Sequence, residues 1–63
     1  MIWLTEYCPV QNAVHTDPLE DAVRKNRESI LAGAPAGYMV VGAFSTQEEA
    51  SRYADEFRAV MDG

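Results

Sequence analysis

Sixty-three residues carry ten Asp and Glu against five Lys and Arg, a net charge of −5, with a hydrophobic fraction of 48% and a single cysteine. A chain this short forms one domain, residues 1–63, and buries only about 60% of the surface its unfolded form exposes; no disulfide or Cys/His metal cluster is at hand to staple it. The acid excess argues against direct nucleic-acid binding and against anionic membranes, both of which call for cations, and favours a partner with a basic surface.

No apolar run approaches the roughly 20 residues of a membrane span. Ile2-Trp3-Leu4 is interrupted by Glu6 and has no basic segment before it, so no signal peptide is expected. One unpaired cysteine suits a reducing compartment, and cytoplasmic residence is the expectation.

In chain order, residues 2–8 read as a strand, aromatic and β-branched, ended by Pro9. Residues 10–15 fit either a second hairpin strand or an ordered loop. Asp17-Pro18-Leu19-Glu20 then predicts a helix start, with Asp17 as N-cap, Pro18 at N1 and Glu20 at N3. Leu19, Ala22, Val23, Ile30 and Leu31 recur at helical spacing, and Gly33 suits the position after the helix end, so the first helix is placed at about 18–32. Residues 34–37 read as a turn. Residues 38–44 form a strand apolar on both faces, a pattern usual for burial on both sides. Ser45 with Glu48, or Thr46 with Glu49, offers a capping box for a second helix over about 46–62, with an apolar stripe of Ala50, Tyr53, Ala54, Phe57, Val60 and Met61. The expected fold is α+β, read β-α-β-α, with two helices packed on one face of a small antiparallel sheet. The far face of such a sheet keeps apolar residues exposed, which predicts a homodimer or an obligate partner.

Little in the sequence suggests catalysis. Cys8 and His15 are the soft side chains, but a nucleophile with a base needs an orienting group and an oxyanion site, and neither is in evidence. They read as a structural thiol and a surface imidazole. A metal site needs three ligands, and no spacing supplies them. The adjacent acids Glu20-Asp21, Glu48-Glu49 and Asp55-Glu56 point in different directions on a helix, so they make poor acid–base dyads. No glycine-rich phosphate loop occurs. The chain reads as a binding protein rather than an enzyme, with no cofactor.

The remaining feature is a set of carboxylates on the two helices: Glu20, Asp21 and Glu28 on the first, and Glu48, Glu49, Asp55, Glu56 and Asp62 on the second. If the helices lie side by side, these acids make one band. Spaced carboxylates of this kind imitate a phosphate ladder and suit a basic nucleic-acid-binding groove.

Residues 38–50, Tyr-Met-Val-Val-Gly-Ala-Phe-Ser-Thr-Gln-Glu-Glu-Ala, together with the helix after them, resemble the first strand–helix half of a SPOR domain. That resemblance implies binding to peptidoglycan glycan strands, although the family's second half would have to follow Gly63. In size, acidity and lack of catalytic signature, the chain also resembles small phage-encoded inhibitors of the anti-CRISPR type. That resemblance implies a DNA mimic acting in the host cytoplasm on a DNA-binding subunit of a CRISPR effector complex. It transfers no specific residues. The leading expectation is therefore an acidic inhibitor of a basic DNA-binding surface. A SPOR-like glycan binder and a dimerisation or adaptor module are the alternatives.

Overall fold

A computed structural model describes residues 1–34 and 37–62. The element order is β1 (Trp3–Cys8), β2 (Ala13–Pro18), α1 (Leu19–Leu31), β3 (Met39–Phe44) and α2 (Gln47–Asp62). The fold is α+β, with a three-stranded antiparallel sheet in the order β2-β1-β3. The undecided segment after Pro9 resolves into a hairpin. Residues 9–12 turn, with Asn12 in the left-handed region at φ 51° that Asn tolerates, and its side-chain oxygen accepts a hydrogen bond from the Tyr7 hydroxyl at 3.1 Å. Pro35 and Ala36 of the expected 34–37 turn lie outside the described residues.

Strand alternation divides the sheet into two faces. Thr5 and Tyr7 of β1 face α2. Leu4, Glu6 and Cys8 face the other way, beside their β2 neighbours Asp17, His15 and Ala13. The contact between α2 and the sheet is close because Ala50 and Ala54 are the residues it buries. The Thr5 hydroxyl, fully buried, donates to the Ala50 carbonyl at 2.9 Å. Phe44, Tyr53, Phe57 and Tyr7 form a chain of ring contacts along this interface, with centroid separations of 5.1, 6.2 and 5.6 Å. The two edges of the sheet are tied to the same helix. Arg58 Nη2 donates to the Val14 carbonyl of β2 at 2.6 Å, and the Tyr53 hydroxyl donates to the Val41 carbonyl of β3 at 3.0 Å.

The bond to Val41 has a specific cause. Thr5 pairs with Gly42 and Glu6 with Val40, so Val41 is the extra residue of a β-bulge. Its carbonyl needs another donor, and Tyr53 supplies one. Gly42 makes room for this arrangement. A Cβ there would stand 2.7 Å from the Phe44 ring and 3.0 Å from the Tyr53 ring.

The two helices meet different faces of the sheet, α2 on the Thr5 side and α1 on the Asp17 side. Among the described residues α1 and α2 do not touch. The contact of α1 with the sheet is on the Glu6 side, where the Lys25 ammonium meets Asp17 at 3.0 Å. The molecule measures 35 × 28 × 10 Å, and its shortest dimension is that of three strands set about 4.8 Å apart. Helices stacked above and below a narrow sheet give that shape. Two helices side by side would widen it by about one helix diameter.

Three further expectations are revised. Asp17 does not cap α1. It is a β2 residue paired with Leu4, the cap position falls to Pro18, and the Leu19 amide is already taken by the Ile2 carbonyl at 2.9 Å. Strand pairing thus runs up to the first residue of the helix. The strand 39–44 is an exposed edge, and it is β1 that is buried on both sides. Val60, assigned to the buried stripe of α2, is 80% exposed. Other signals hold. Gly33, at φ 76°, donates to Ile30 and Ala34 donates to Ser29, a Schellman ending. Of the two possible capping boxes, Thr46–Glu49 forms: the Glu49 amide donates to Thr46 Oγ1 at 3.2 Å and the Thr46 hydroxyl to the Glu49 carboxylate at 3.1 Å.

Thr5→Val keeps the shape of the side chain and removes its bond to Ala50. The expected cost is about 1 kcal/mol, read in thermal unfolding as a fall of roughly 4–8 °C. An unchanged midpoint would show that this bond does not help hold α2 to the sheet.

Candidate functional site

Two regions carry chemistry: the acidic outer face of α2, and an ionic cluster on the sheet face away from it. The sequence singled out the first and missed the second.

On α2, residues 50, 53, 54, 57 and 61 turn inward, so Glu48, Glu49, Asp55, Glu56 and Asp62 fall on the solvent side, where all are exposed. Arg52 and Arg58 sit among them. Glu48 pairs with Arg52 at 3.2 Å and Asp55 with Arg58 at 2.9 Å, while Glu49 is held by Thr46. Glu56 and Asp62 make none of these pairs. On α1, Glu20 and Asp21 occupy the first turn, where they suit the helix dipole; Asp21 lies 3.4 Å from Arg24, and Glu28 is exposed further along. Since the helices lie on opposite faces of the sheet, the acids of α1 and α2 do not join. The single band expected from the sequence is two separate patches.

The second region is assembled by the β1–β2 register. Glu6 stands opposite His15, and Leu4 opposite Asp17, so Glu6, His15 and Asp17 share one face. His15 Nε2 lies 3.4 Å from Glu6 Oε1 and 3.1 Å from Asp17 Oδ2; the side chains are 33%, 3% and 12% exposed in the order His15, Glu6, Asp17. The other oxygen of Asp17 accepts from Lys25. Tyr38 packs edge-on against the imidazole with ring centroids 4.5 Å apart. Glu6 Oε1 and Asp17 Oδ2 are shut off from solvent, and no donor is aimed squarely at either.

Two carboxyls placed this close do not both ionise freely. Burial pushes Glu6 above the usual carboxylate range, and its hydrogen bond with Asp17 and that residue's charge push the same way; His15 and Lys25 only partly offset this. At Asp17 burial also acts upward, but hydrogen bonds from Lys25 and Glu6, with the charges of Lys25 and His15, bring it below its ordinary value. The Lys25 ammonium is raised by its hydrogen bond to Asp17 and by that carboxylate's charge. Of the two, Glu6 is shifted toward its protonated form and Asp17 toward its charged form.

Sequence reasoning passed over this cluster for two reasons. Asp17 suits a helix cap, and residues 10–15 fit either strand or loop, which hides the i,i+2 spacing of His15 and Asp17 on a strand. Glu6, an acid within an otherwise apolar strand, was the available signal. Cys8 is a free thiol buried on β1.

No family model, no curated protein and no solved structure matches this chain. No helix among the described residues is long and apolar enough to cross a membrane.

A carboxyl whose pKa is raised by folding destabilises the folded state fully at pH above the raised value, less as the pH falls from there, and not at all below the ordinary carboxylate value. Glu6→Gln, which keeps the shape and gives Asp17 a permanent donor, is therefore expected to raise the unfolding temperature of the metal-free chain near pH 7. The gain shrinks as the pH falls through the range where Glu6 takes up its proton. A gain of the same size at every pH would rule out the charge of Glu6 as the cause.

Proposed function

We propose that this protein is an acidic binding protein that docks the outer face of α2 on a basic, nucleic-acid-binding surface of a larger protein or complex, and so blocks it. The observation that carries this reading is the run of carboxylates along one exposed helix face. Glu48, Glu49, Asp55, Glu56 and Asp62 lie within about 21 Å of helix at 1.5 Å per residue, or one acid about every 5 Å. The spacing of phosphates along one DNA strand is about 3.4 Å. Two arginines, Arg52 and Arg58, reduce the excess, but their partners are exposed, and exposed pairs exchange at little cost. A groove lined with arginine gains charge-assisted bonds from such a face. The overall charge of −5 steers the encounter. A DNA-binding subunit of a CRISPR effector complex is one surface of this chemistry, in keeping with the small acidic inhibitors that the chain resembles. Glu20, Asp21 and Glu28 are not part of this contact, because the sheet lies between them and α2.

The test is displacement of a labelled target duplex from a DNA-binding CRISPR effector complex. The wild-type chain is expected to displace it, increasingly weakly as salt is raised. A chain carrying Glu48→Lys, Glu49→Lys, Asp55→Lys and Glu56→Lys should lose about 100-fold or more in potency. Glu20→Lys, Asp21→Lys and Glu28→Lys together should leave potency within a few-fold. Equal loss from both sets would refute a contact confined to α2, and no displacement by the wild type would refute this target.

One observation favours a second reading, self-association. The β3 edge is open and its Met39 and Val40 side chains are about half exposed, a combination that invites pairing with another strand. Sedimentation at high protein concentration is expected to show a dimer under this reading, and a strict monomer excludes it.

A further inference from the structure

We propose that Glu6, His15 and Asp17 form a binding site for one divalent transition-metal ion, with zinc the best match to the donors. One imidazole nitrogen and two carboxylate oxygens, from three residues on one face of the β1–β2 hairpin, lie within 4.8 Å of one another. This is the one such group among the described residues.

Three observations point to a ligand rather than to an ordinary ion pair. The first is distance. Zinc takes nitrogen and oxygen donors at about 2.0–2.2 Å in a tetrahedral arrangement, which sets neighbouring donors roughly 3.3–3.5 Å apart. The imidazole nitrogen stands 3.4 and 3.1 Å from the two oxygens. The second is direction. A single N–H can aim at only one of two oxygens, and neither oxygen is properly met by a donor. A metal ion can take the nitrogen and both oxygens as donors at once. The third is burial. Glu6 is 97% buried, with its Oε1 unpartnered and turned toward His15. A buried carboxylate is costly unless it is protonated or bound to a cation, and a metal ion supplies the second.

The surroundings suit a metal ion. With Glu6 ionised, as a metal ligand must be, two carboxylates face one fixed cation, Lys25, and the group is electronegative enough to attract a metal ion. Lys25 holds Asp17 through the oxygen not needed for the metal, as outer partners of metal ligands commonly do. His15, 33% exposed, is the member of the group that reaches solvent. The nitrogen donor and the low ligand count select against magnesium and calcium, which require six or more oxygens. A bound ion would lock β1 to β2 and, through Asp17 and Lys25, steady the start of α1.

The experiment uses the full chain, freed of metal by a chelator and checked for folding by circular dichroism. Zinc is titrated by calorimetry, and cobalt(II) is used to read the geometry. The wild type should bind one zinc per chain, unfold at a higher temperature with zinc, and give the intense visible absorption of four-coordinate cobalt. Folded His15→Gln and Asp17→Asn should lose saturable binding and that spectrum. Lys25→Met should bind roughly 10–100-fold more weakly. Glu48→Gln with Glu49→Gln, remote on α2, should bind like the wild type. The proposal is overturned if the wild type shows no one-to-one binding. Wild-type-like binding by either ligand variant, or only the weak spectrum of six-coordinate cobalt, overturns it as well.

Discussion

β1 is enclosed on both faces, and the two enclosures differ in kind. Toward α2 the strand presents Thr5 and Tyr7 to two alanines and a chain of aromatic rings, and a buried hydroxyl–carbonyl bond fixes the distance between helix and sheet. Away from α2 it presents Leu4 and Cys8, but between them stands Glu6, a carboxylate almost fully removed from water. A domain of this size has little apolar surface to bury. Placing an acid at the centre of its one interior strand is a demanding constraint, and His15, Asp17, Lys25 and Tyr38 are gathered around it.

That constraint also explains the position of α1. This helix buries Ala22 alone, and its larger apolar residues Val23, Ile30 and Leu31 remain exposed. Apolar packing contributes little to its attachment. Its direct continuation from β2 and the Lys25–Asp17 ion pair hold it instead. Exposed pairs contribute little to stability, so α1 is the element least firmly attached, and whatever settles the charge at Glu6 and Asp17 also settles α1. The α2 side behaves oppositely. Each strand is bonded to α2 by a side chain, through Arg58, Thr5 and Tyr53, which makes its outer face a rigid platform for carboxylates.

The two proposals therefore concern different faces and do not depend on one another. A basic partner on α2 needs charge and a firm support. A metal ion on the hairpin needs convergent donors and partial burial. Resemblance to the small acidic inhibitors bears on the first alone. The second arises from the strand register.

The sequence by itself determined the local elements. Capping at Thr46, the glycine end at Gly33, the apolar stripe of α2 and the aromatic first strand are short-range features, set by bonds and spacings within a few residues. It also determined which acids lie on the outside of α2, since helical spacing alone separates residues 48, 49, 55, 56 and 62 from residues 50, 54 and 57. Only the tertiary structure decided the rest. Asp17 suits both a helix cap and a strand end, and pairing with β1 chose the strand. The apolar run 39–44 looked central, yet its place beside β1 leaves it an edge. The acids of α1 and α2 looked contiguous until the sheet came between them. Glu6 lies on one strand of the hairpin and His15 and Asp17 on the other, and their meeting depends on a cross-strand register that neither strand encodes by itself.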